Sequence, residues 1–462
     1  MIKTTTHYNE RLYKALSQIH HIETPQLISV TEQMATANPF RFYQAGKAYQ
    51  GERVYWTSTD QVFTLVGIGS AYTLEAEEDR FNTIQQAWKA LMEEAVIDNP
   101  YESSGTGPVA LGGFSFDPHD HSRTAWEDFP DSKVSIPMFL LTKTESANYI
   151  TVNIMVHPED DIEDIYQFVT QAYQEFLEGG TSIDEMPSII GKEEIQPLEW
   201  KDIVKQAAHD IQSGYMSKVV LARELEVNFD RDVNIVSVLD ALQREQQQSY
   251  VFAVESGDSC FIGATPERLV KVDNRELHSA CLAGTIARGD TVEEDQALGE
   301  ELLHDNKNLQ EHDFVVQMIR EAVESCCDQV QIPSEPVIYP LRNLQHLYTP
   351  VKAKLRVGYT ILEVVEKLHP TPALNGYPRQ EALSYIREHE PFDRGWYASP
   401  VGWFDYKDNG EFAVAIRSGL VKKNKTVLYS GCGIVEDSMP EAEYEETAIK
   451  FLPMLNALGG RT

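Results

Sequence analysis

The sequence predicts an α/β protein in which β-hairpins alternate with amphipathic helices, and three observations carry that expectation. Apolar, β-branched and aromatic runs recur in pairs around short polar turns, as at 53–57 and 61–69 across Ser58-Thr59-Asp60, and at 249–255 and 260–264 across Gly257-Asp258; this is the pattern of neighbouring antiparallel strands. Between such pairs lie segments with apolar residues at helical spacing, among them Phe81, Ile84, Ala87, Trp88 and Leu91 within 80–94. A hydrophobic fraction of 42% with 10% aromatics over 462 residues fills one large core or two to three ordinary ones, so disorder is not expected.

Charge and cysteine usage narrow the function. With 39 basic and 72 acidic side chains the formal charge is −33, which argues against nucleic acid or an anionic membrane as partner. An anionic ligand therefore needs a local nest of Lys, Arg or metal. Five cysteines, at 260, 281, 326, 327 and 432, are odd in number and lack framework spacing, pointing to a reducing compartment. The first residues hold no apolar signal core and no run is long enough to span a bilayer. The expectation is a soluble, cytoplasmic protein.

In chain order, residues 9–20 read as an amphipathic helix and 25–35 as a strand. The glycines of 103–116 are not a phosphate-binding loop, because no Gly-Lys-Ser/Thr follows; Leu111-Gly-Gly-Phe-Ser-Phe-Asp117 packs two glycines between strands instead. His119-Asp120-His121 reads as a solvated turn, since no third distant ligand accompanies it. Strands at 138–143 and 149–157 and an acidic helix at 160–177 follow. The stretch from Gly179-Gly180 to Pro197 is the linker candidate, dividing an N-terminal region, 1–190, from a catalytic region at 198–456, with the first expected to pack on the same core as the second.

Beyond it, 200–212 is a helix closed by Gly214, and 215–227 a strand with Lys218, Val220 and Ala222 on one face. A lysine among Val-Val-Leu-Ala either snorkels from a fraying strand start or is buried, where desolvation favours the neutral amine. Glu267 stands at a strand-to-strand corner, in Thr265-Pro-Glu-Arg268, either exposed or aimed into a cleft. Leu282-Ala-Gly-Thr285 offers amides and a hydroxyl to an anion. One long helix is expected over 292–326, with Glu311 off its buried stripe. His346 lies in an apolar strand at 341–348, a setting that usually holds a hydrogen-bonded core histidine. A helix at 361–368 is halted by His369-Pro-Thr-Pro372, and 380–388 is helical. Strands at 398–403, 411–420 and 426–430 close the sheet, with Arg417 placed to clamp a carboxylate.

The stretch 431–450 concentrates the chemistry. Gly431 and Gly433 let backbone approach a ligand. A helix then starts with Ser438 as N-cap and Glu441 completing a capping box. Glu443, Glu446 and Lys450 fall at i, i+3 and i+7, on one face. That face is either a solvated ion pair or a site for a metal-bridged anion.

Taken together, Lys218-Val-Val-Leu-Ala-Arg223, Gly263-Ala-Thr-Pro-Glu-Arg268, Leu282-Ala-Gly-Thr285, Glu311-His312, His369-Pro-Thr-Pro-Ala-Leu374, Ala415-Ile-Arg417, Gly431-Cys-Gly-Ile-Val435 and Glu443-Tyr-Glu-Glu-Thr447 resemble the chorismate-utilising enzymes, and within them the isochorismate-forming branch. The resemblance covers about residues 200–456; the N-terminal region matches mainly through Gly112-Gly-Phe-Ser-Phe-Asp117. It implies large, mostly antiparallel sheets packed face to face with helices outside and the site in the cleft. It implies Lys218 as base and Glu267 as acid, with Mg²⁺ on Glu311 and Glu446 and Glu443 in its outer shell. Thr285, His346, Arg417, Gly431 and Lys450 would bind chorismate. Asn308 stands where some relatives are acidic.

Two departures select water as nucleophile: amine-transferring relatives lack a lysine at the position of Lys218, and Ala283 stands where some carry a reactive lysine. No glutaminase subunit is then needed, and a monomer or homodimer is expected. The His369-Pro-Thr-Pro-Ala run resembles isochorismate-forming members rather than the lyases that make salicylate, which remain the alternative together with a chorismate-binding module without turnover. The long N-terminal region resembles menaquinone-branch members.

Overall fold

The computed structural model describes residues 2–17, 23–119, 125–178, 185–340 and 344–460. Among them are eleven α-helices and twenty-one strands. From the long strand Ser132–Lys143 the sheet runs in two arms. One passes through Thr64–Glu75, Arg53–Thr57, Tyr250–Ser256, Ser259–Thr265, Ser418–Lys422 and Lys425–Ile434 to Lys218–Phe229. The other passes through Val109–Phe114, Pro400–Asp405, Gly410–Val414, Arg268–Asp273 and Glu276–Ala287 to Leu344–Leu355. Every one of these pairings is antiparallel.

The period-two alternation of the strands stacks the arms. Tyr250, Phe252 and Val254 enter a core shared with Val270, Trp403 and Phe412 of the second arm. Their neighbours Val251 and Ala253 enter a second core with Leu239, Leu242, Phe451 and Met454, from the helices Ile235–Glu245 and Pro440–Ala457. Both faces of the first arm are thus covered, which is why its strands read as nearly continuous apolar runs. Tyr250 Oη donates to Glu411 Oε1 across the arms at 2.6 Å. The expected architecture of face-to-face antiparallel sheets with helices outside is the one observed.

Two strand pairings cross the expected linker, Arg53–Thr57 with Tyr250–Ser256 and Val109–Phe114 with Pro400–Asp405. Arg53 and Glu255 add a buried ion pair at 2.7 Å. Gly179 and Gly180 lie outside the described residues, and Ile189–Glu194 forms a strand on Lys218–Phe229.

Several local expectations change. The helix expected over 292–326 is two, Val292–His304 and Asn306–Cys326, because Asp305 caps the second by accepting from Asn308 N at 2.8 Å. The strand expected over 411–420 is also two, Gly410–Val414 and Ser418–Lys422, with Ala415–Arg417 between them. The capping box at Ser438 does not form: Ser438 Oγ accepts from Val435 N and donates to Glu443, while Glu441 pairs with Lys201 at the surface. Asp120 and His121 of the His-Asp-His run, and residues 18–20 and 341–343 of the first helix and of the His346 strand, lie outside the described residues. No helix among those described is long and apolar enough to cross a membrane. All five cysteines are buried free thiols.

Candidate active site

The site begins where the chain passes between the arms, which it does twice at one place. After Thr265 it leaves the first arm through Pro266-Glu267 and enters the second at Arg268; after Val414 it returns through Ala415-Ile416-Arg417 and enters the first at Ser418. The crossovers are bonded side by side, Ala264 N donating to Arg417 O at 3.1 Å and Val414 N to Glu267 O at 3.0 Å. Arg417 takes a φ of 52°, a left-handed backbone that costs on the order of 1 kcal/mol and persists only where neighbours fix it. The expected placement of Arg417 within a strand over 411–420 is thereby corrected: the turn, not the pleat, aims its side chain.

All ten residues expected of the site line one cavity of about 270 Å³, bounded by these crossovers and by the helices Asn306–Cys326 and Pro440–Ala457. Lys218, the first residue of its strand, is only 5% exposed, so the buried reading holds over the snorkelling one. Gly433 on the neighbouring strand makes its room, since a Cβ there would lie 2.7 Å from Lys218 Cε. The glycine that was expected to admit a ligand thus admits a side chain of the protein. Lys218 Nζ donates to Glu311 Oε2 at 3.0 Å.

Glu267 is buried, and burial pushes its carboxyl up to about 7 against the opposing pull of Arg417, Lys218 and Lys450. Burial, with Arg417 and Lys450 nearby, drives the His346 imidazole down to about 3, so it is neutral at ordinary pH. Its Nδ1 is hydrogen-bonded to Thr285 Oγ1 at 2.9 Å. Thr285 N donates to Asn308 Oδ1 at 3.1 Å, fixing the turn at Gly284, whose φ is 82°.

Glu446 and Lys450 pair at 2.6 Å, and Lys450 also donates to Gly431 O at 2.9 Å. Burial pushes the Glu446 carboxyl up, but Lys450, with Arg417 and Lys218, outweighs it and leaves the group below its ordinary value. The pair joins the two readings: the Glu446 side chain is 45% exposed, while Lys450, at 14%, is turned into the cavity that both line. Burial raises the Glu443 carboxyl, which accepts from Ser438 Oγ at 2.7 Å. The helix is seated by Arg223, whose Nε donates to Thr447 Oγ1 at 2.8 Å and whose guanidinium lies 4.0 Å from the Tyr444 ring centroid. Arg223 has the opposite strand parity to Lys218, so one strand holds the helix with one face and presents the amine with the other.

Glu311 and Glu446 thus reach one cavity from two helices, each balanced by a lysine ammonium. Among the described residues no three His, Cys, Asp or Glu side chains stand close enough for a preformed metal centre. Two carboxylates alone suit a hard cation that keeps waters and takes further oxygens from its ligand, as Mg²⁺ does.

Sequence reasoning missed three lining residues. Tyr397 is buried against Tyr429, with ring centroids 5.3 Å apart. Arg394 pairs with Glu390 and donates to Val220 O at 2.7 Å and Leu374 O at 3.0 Å, tying the Lys218 strand to the 369–374 run. Lys307 lies one helical turn before Glu311. The lining holds five cations, Lys218, Lys307, Arg394, Arg417 and Lys450, beside four glutamates, the local nest that an anionic ligand needs in a chain of charge −33.

Comparison with known proteins gives a family and a fold. Residues 14–459 match the family model described as chorismate binding enzyme. The chain is 40% identical to isochorismate synthase MenF of Bacillus subtilis, over 98% of both chains. It is 34% identical to the salicylate biosynthesis isochorismate synthase of Pseudomonas aeruginosa, over 97% of this chain and 94% of that one. Among solved structures, the menaquinone-specific isochorismate synthase MenF of Escherichia coli superposes with a TM-score of 0.80 at 25% identity, covering 98% of this chain and 100% of that one.

Proposed function

The chain belongs to the chorismate-binding enzyme family, and from that membership we propose that it is an isochorismate synthase whose acid and base are Glu267 and Lys218. The observation that carries the assignment is a buried amine and a buried carboxyl, the latter half-protonated near neutrality, lining one cation-rich cavity.

Chorismate is a dianion. Arg417 and Lys450 hold its pyruvyl carboxylate, while Thr285 and the neutral His346 line the ring. Lys218, once released from Glu311 with its ammonium proton given up to solvent, takes as a neutral amine a proton from a water that forms a bond to C2. The ring double bonds shift, the C4–O bond breaks, and Glu267 gives its proton to the departing hydroxyl, which leaves as water. One water enters and one leaves, so substrate and product have equal mass. General acid and base contributions of this kind are typically about 10²–10⁴-fold each. Glu311 and Glu446 would hold Mg²⁺, with Glu443 in its outer shell; the ion supplies positive charge against the ring carboxylate when bound.

Because water is the nucleophile, no ammonia-delivering subunit is needed. Five buried thiols support a reducing, cytoplasmic setting. The match of MenF enzymes along nearly the whole chain supports a place in menaquinone biosynthesis. The test is to supply chorismate and Mg²⁺ and identify the product. Isochorismate, at unchanged mass and without pyruvate, is expected. Salicylate with free pyruvate would convert the assignment to a salicylate synthase, and unchanged chorismate would leave a binding module.

A further inference from the structure

The site cavity has a larger neighbour, about 600 Å³, with which it shares Lys218, Lys307 and Glu311. Another cavity reaches the site beside Arg417 and Lys450, but at about 50 Å³ it has room for a water or two. Of these two, among the described residues, the larger is the one with room for a ring-sized dianion. Glu436 and Asp437 form part of its wall, and acidic side chains at that threshold repel a dianion.

Lys307 lies on the boundary. It lines both cavities, sits in the first turn of Asn306–Cys326, and at i, i+4 shares a face with Glu311. Its Nζ pairs at 3.2 Å with Asp437 Oδ1, in the connection that leads into Pro440–Ala457. The pair therefore ties together, across the mouth, the two helices that carry Glu311 and Glu446. Both partners are half-exposed or more, at 49% and 70%, and an exposed pair is easily exchanged for another anion. Arg417 and Lys450 lie inside the cavity and Lys218 is held by Glu311.

We propose that Lys307 is the positioning residue that receives the anionic substrate at the mouth, and that a substrate carboxylate takes the place of Asp437 on its ammonium. This rests on the proposed substrate being a dianion. Asp437 then acts as a competitor for Lys307, which makes the effects of the two substitutions opposite in sign.

The test is steady-state kinetics with chorismate at saturating Mg²⁺, from low to physiological salt, for wild type, Lys307→Gln, Lys307→Arg and Asp437→Asn. Lys307→Gln is expected to lower kcat/KM about tenfold, the loss falling mainly in KM, and to flatten its salt dependence. Lys307→Arg should restore most of it, and Asp437→Asn should raise kcat/KM. If Lys307→Gln leaves kcat/KM unchanged, lowers kcat in equal measure, or if Asp437→Asn lowers kcat/KM as well, the pair merely braces the loop and the proposal is overturned. A wild type that makes no isochorismate refutes the function instead; the same variants compared by chorismate Kd then still decide the role of Lys307.

Discussion

Lys218 Nζ and Glu311 Oε2 stand 3.0 Å apart although 93 positions separate them in sequence. The strand that supplies the amine and the helix that supplies the carboxylate meet only through the folded sheet. Each would be costly alone: a buried charge without a partner destabilises by about 3–5 kcal/mol. The pairing of Lys450 with Glu446 repeats the solution on the other helix. Lys218→Ala should cut chorismate turnover by about 10²–10⁴-fold while far- and near-UV circular dichroism remain those of the wild type. Turnover close to wild type would remove Lys218 from the mechanism.

The carboxylates give a metal prediction. Glu311→Gln and Glu446→Gln each keep shape and hydrogen bonding but remove a charge. Each should raise the Mg²⁺ concentration for half-maximal activity by about tenfold or more, the equivalent of ~1.4 kcal/mol. Direct Mg²⁺ binding by calorimetry should weaken in parallel. An unchanged metal response in both variants would refute the assignment.

Lys218 and the 443–450 face stood out in the sequence as odd placements, an amine in an apolar strand and acids with a cation on one helix face, but their roles, and Glu267, Thr285 and His346 altogether, were carried by the resemblance to chorismate-utilising enzymes. Hairpins were legible because polar turns separate apolar runs, as at Gly257-Asp258. What escaped depends on tertiary contact. Whether Gly433 serves a ligand or Lys218 is decided by which strand lies beside it. The break at Asp305 and the crossover at Arg417 interrupt patterns that are locally continuous, since a cap or a change of sheet leaves the apolar period almost intact. Tyr397 carries no periodic signal, and Lys307 is legible only as an i, i+4 neighbour of Glu311; it is the cavity that brings both to the site.

As the proposed acid, Glu267 should make the reaction pH-dependent. Its carboxyl is raised to about 7 by burial, so the proton it would donate is present below that pH and lost above it. Turnover should therefore fall as pH rises through about 7, approaching tenfold per unit. Stability follows the same group. In the unfolded chain its pKa is about 4.3, so the stability that the neutral form carries is complete below that value and is lost as pH rises to about 7. Glu267→Gln cannot ionise: it should abolish turnover, yet its Tm should gain on the wild type between pH 5 and pH 8. A Tm difference that does not change with pH would contradict the raised carboxyl.

We propose that residues 1–190 pack on the same core as 198–456 and are not a separable domain. Arg53–Thr57 lies between Thr64–Glu75 and Tyr250–Ser256, with Trp56 against Tyr250 at a ring separation of 5.2 Å. Removing the N-terminal region would expose that apolar surface, leave Tyr250–Ser256 and Pro400–Asp405 each with an unpaired edge, and strip Glu255 of Arg53. Its carboxylate is 3% exposed, so that last loss alone costs about 3–5 kcal/mol, a large share of the ~5–15 kcal/mol by which a domain is stable. Residues 198–462 expressed alone should show no cooperative melting transition and should bind a hydrophobic dye, and Arg53→Met in the full chain should lower the unfolding free energy by about 3–5 kcal/mol. A fragment that melts cooperatively and turns over chorismate would establish the opposite, a catalytic half that folds without its N-terminal strands.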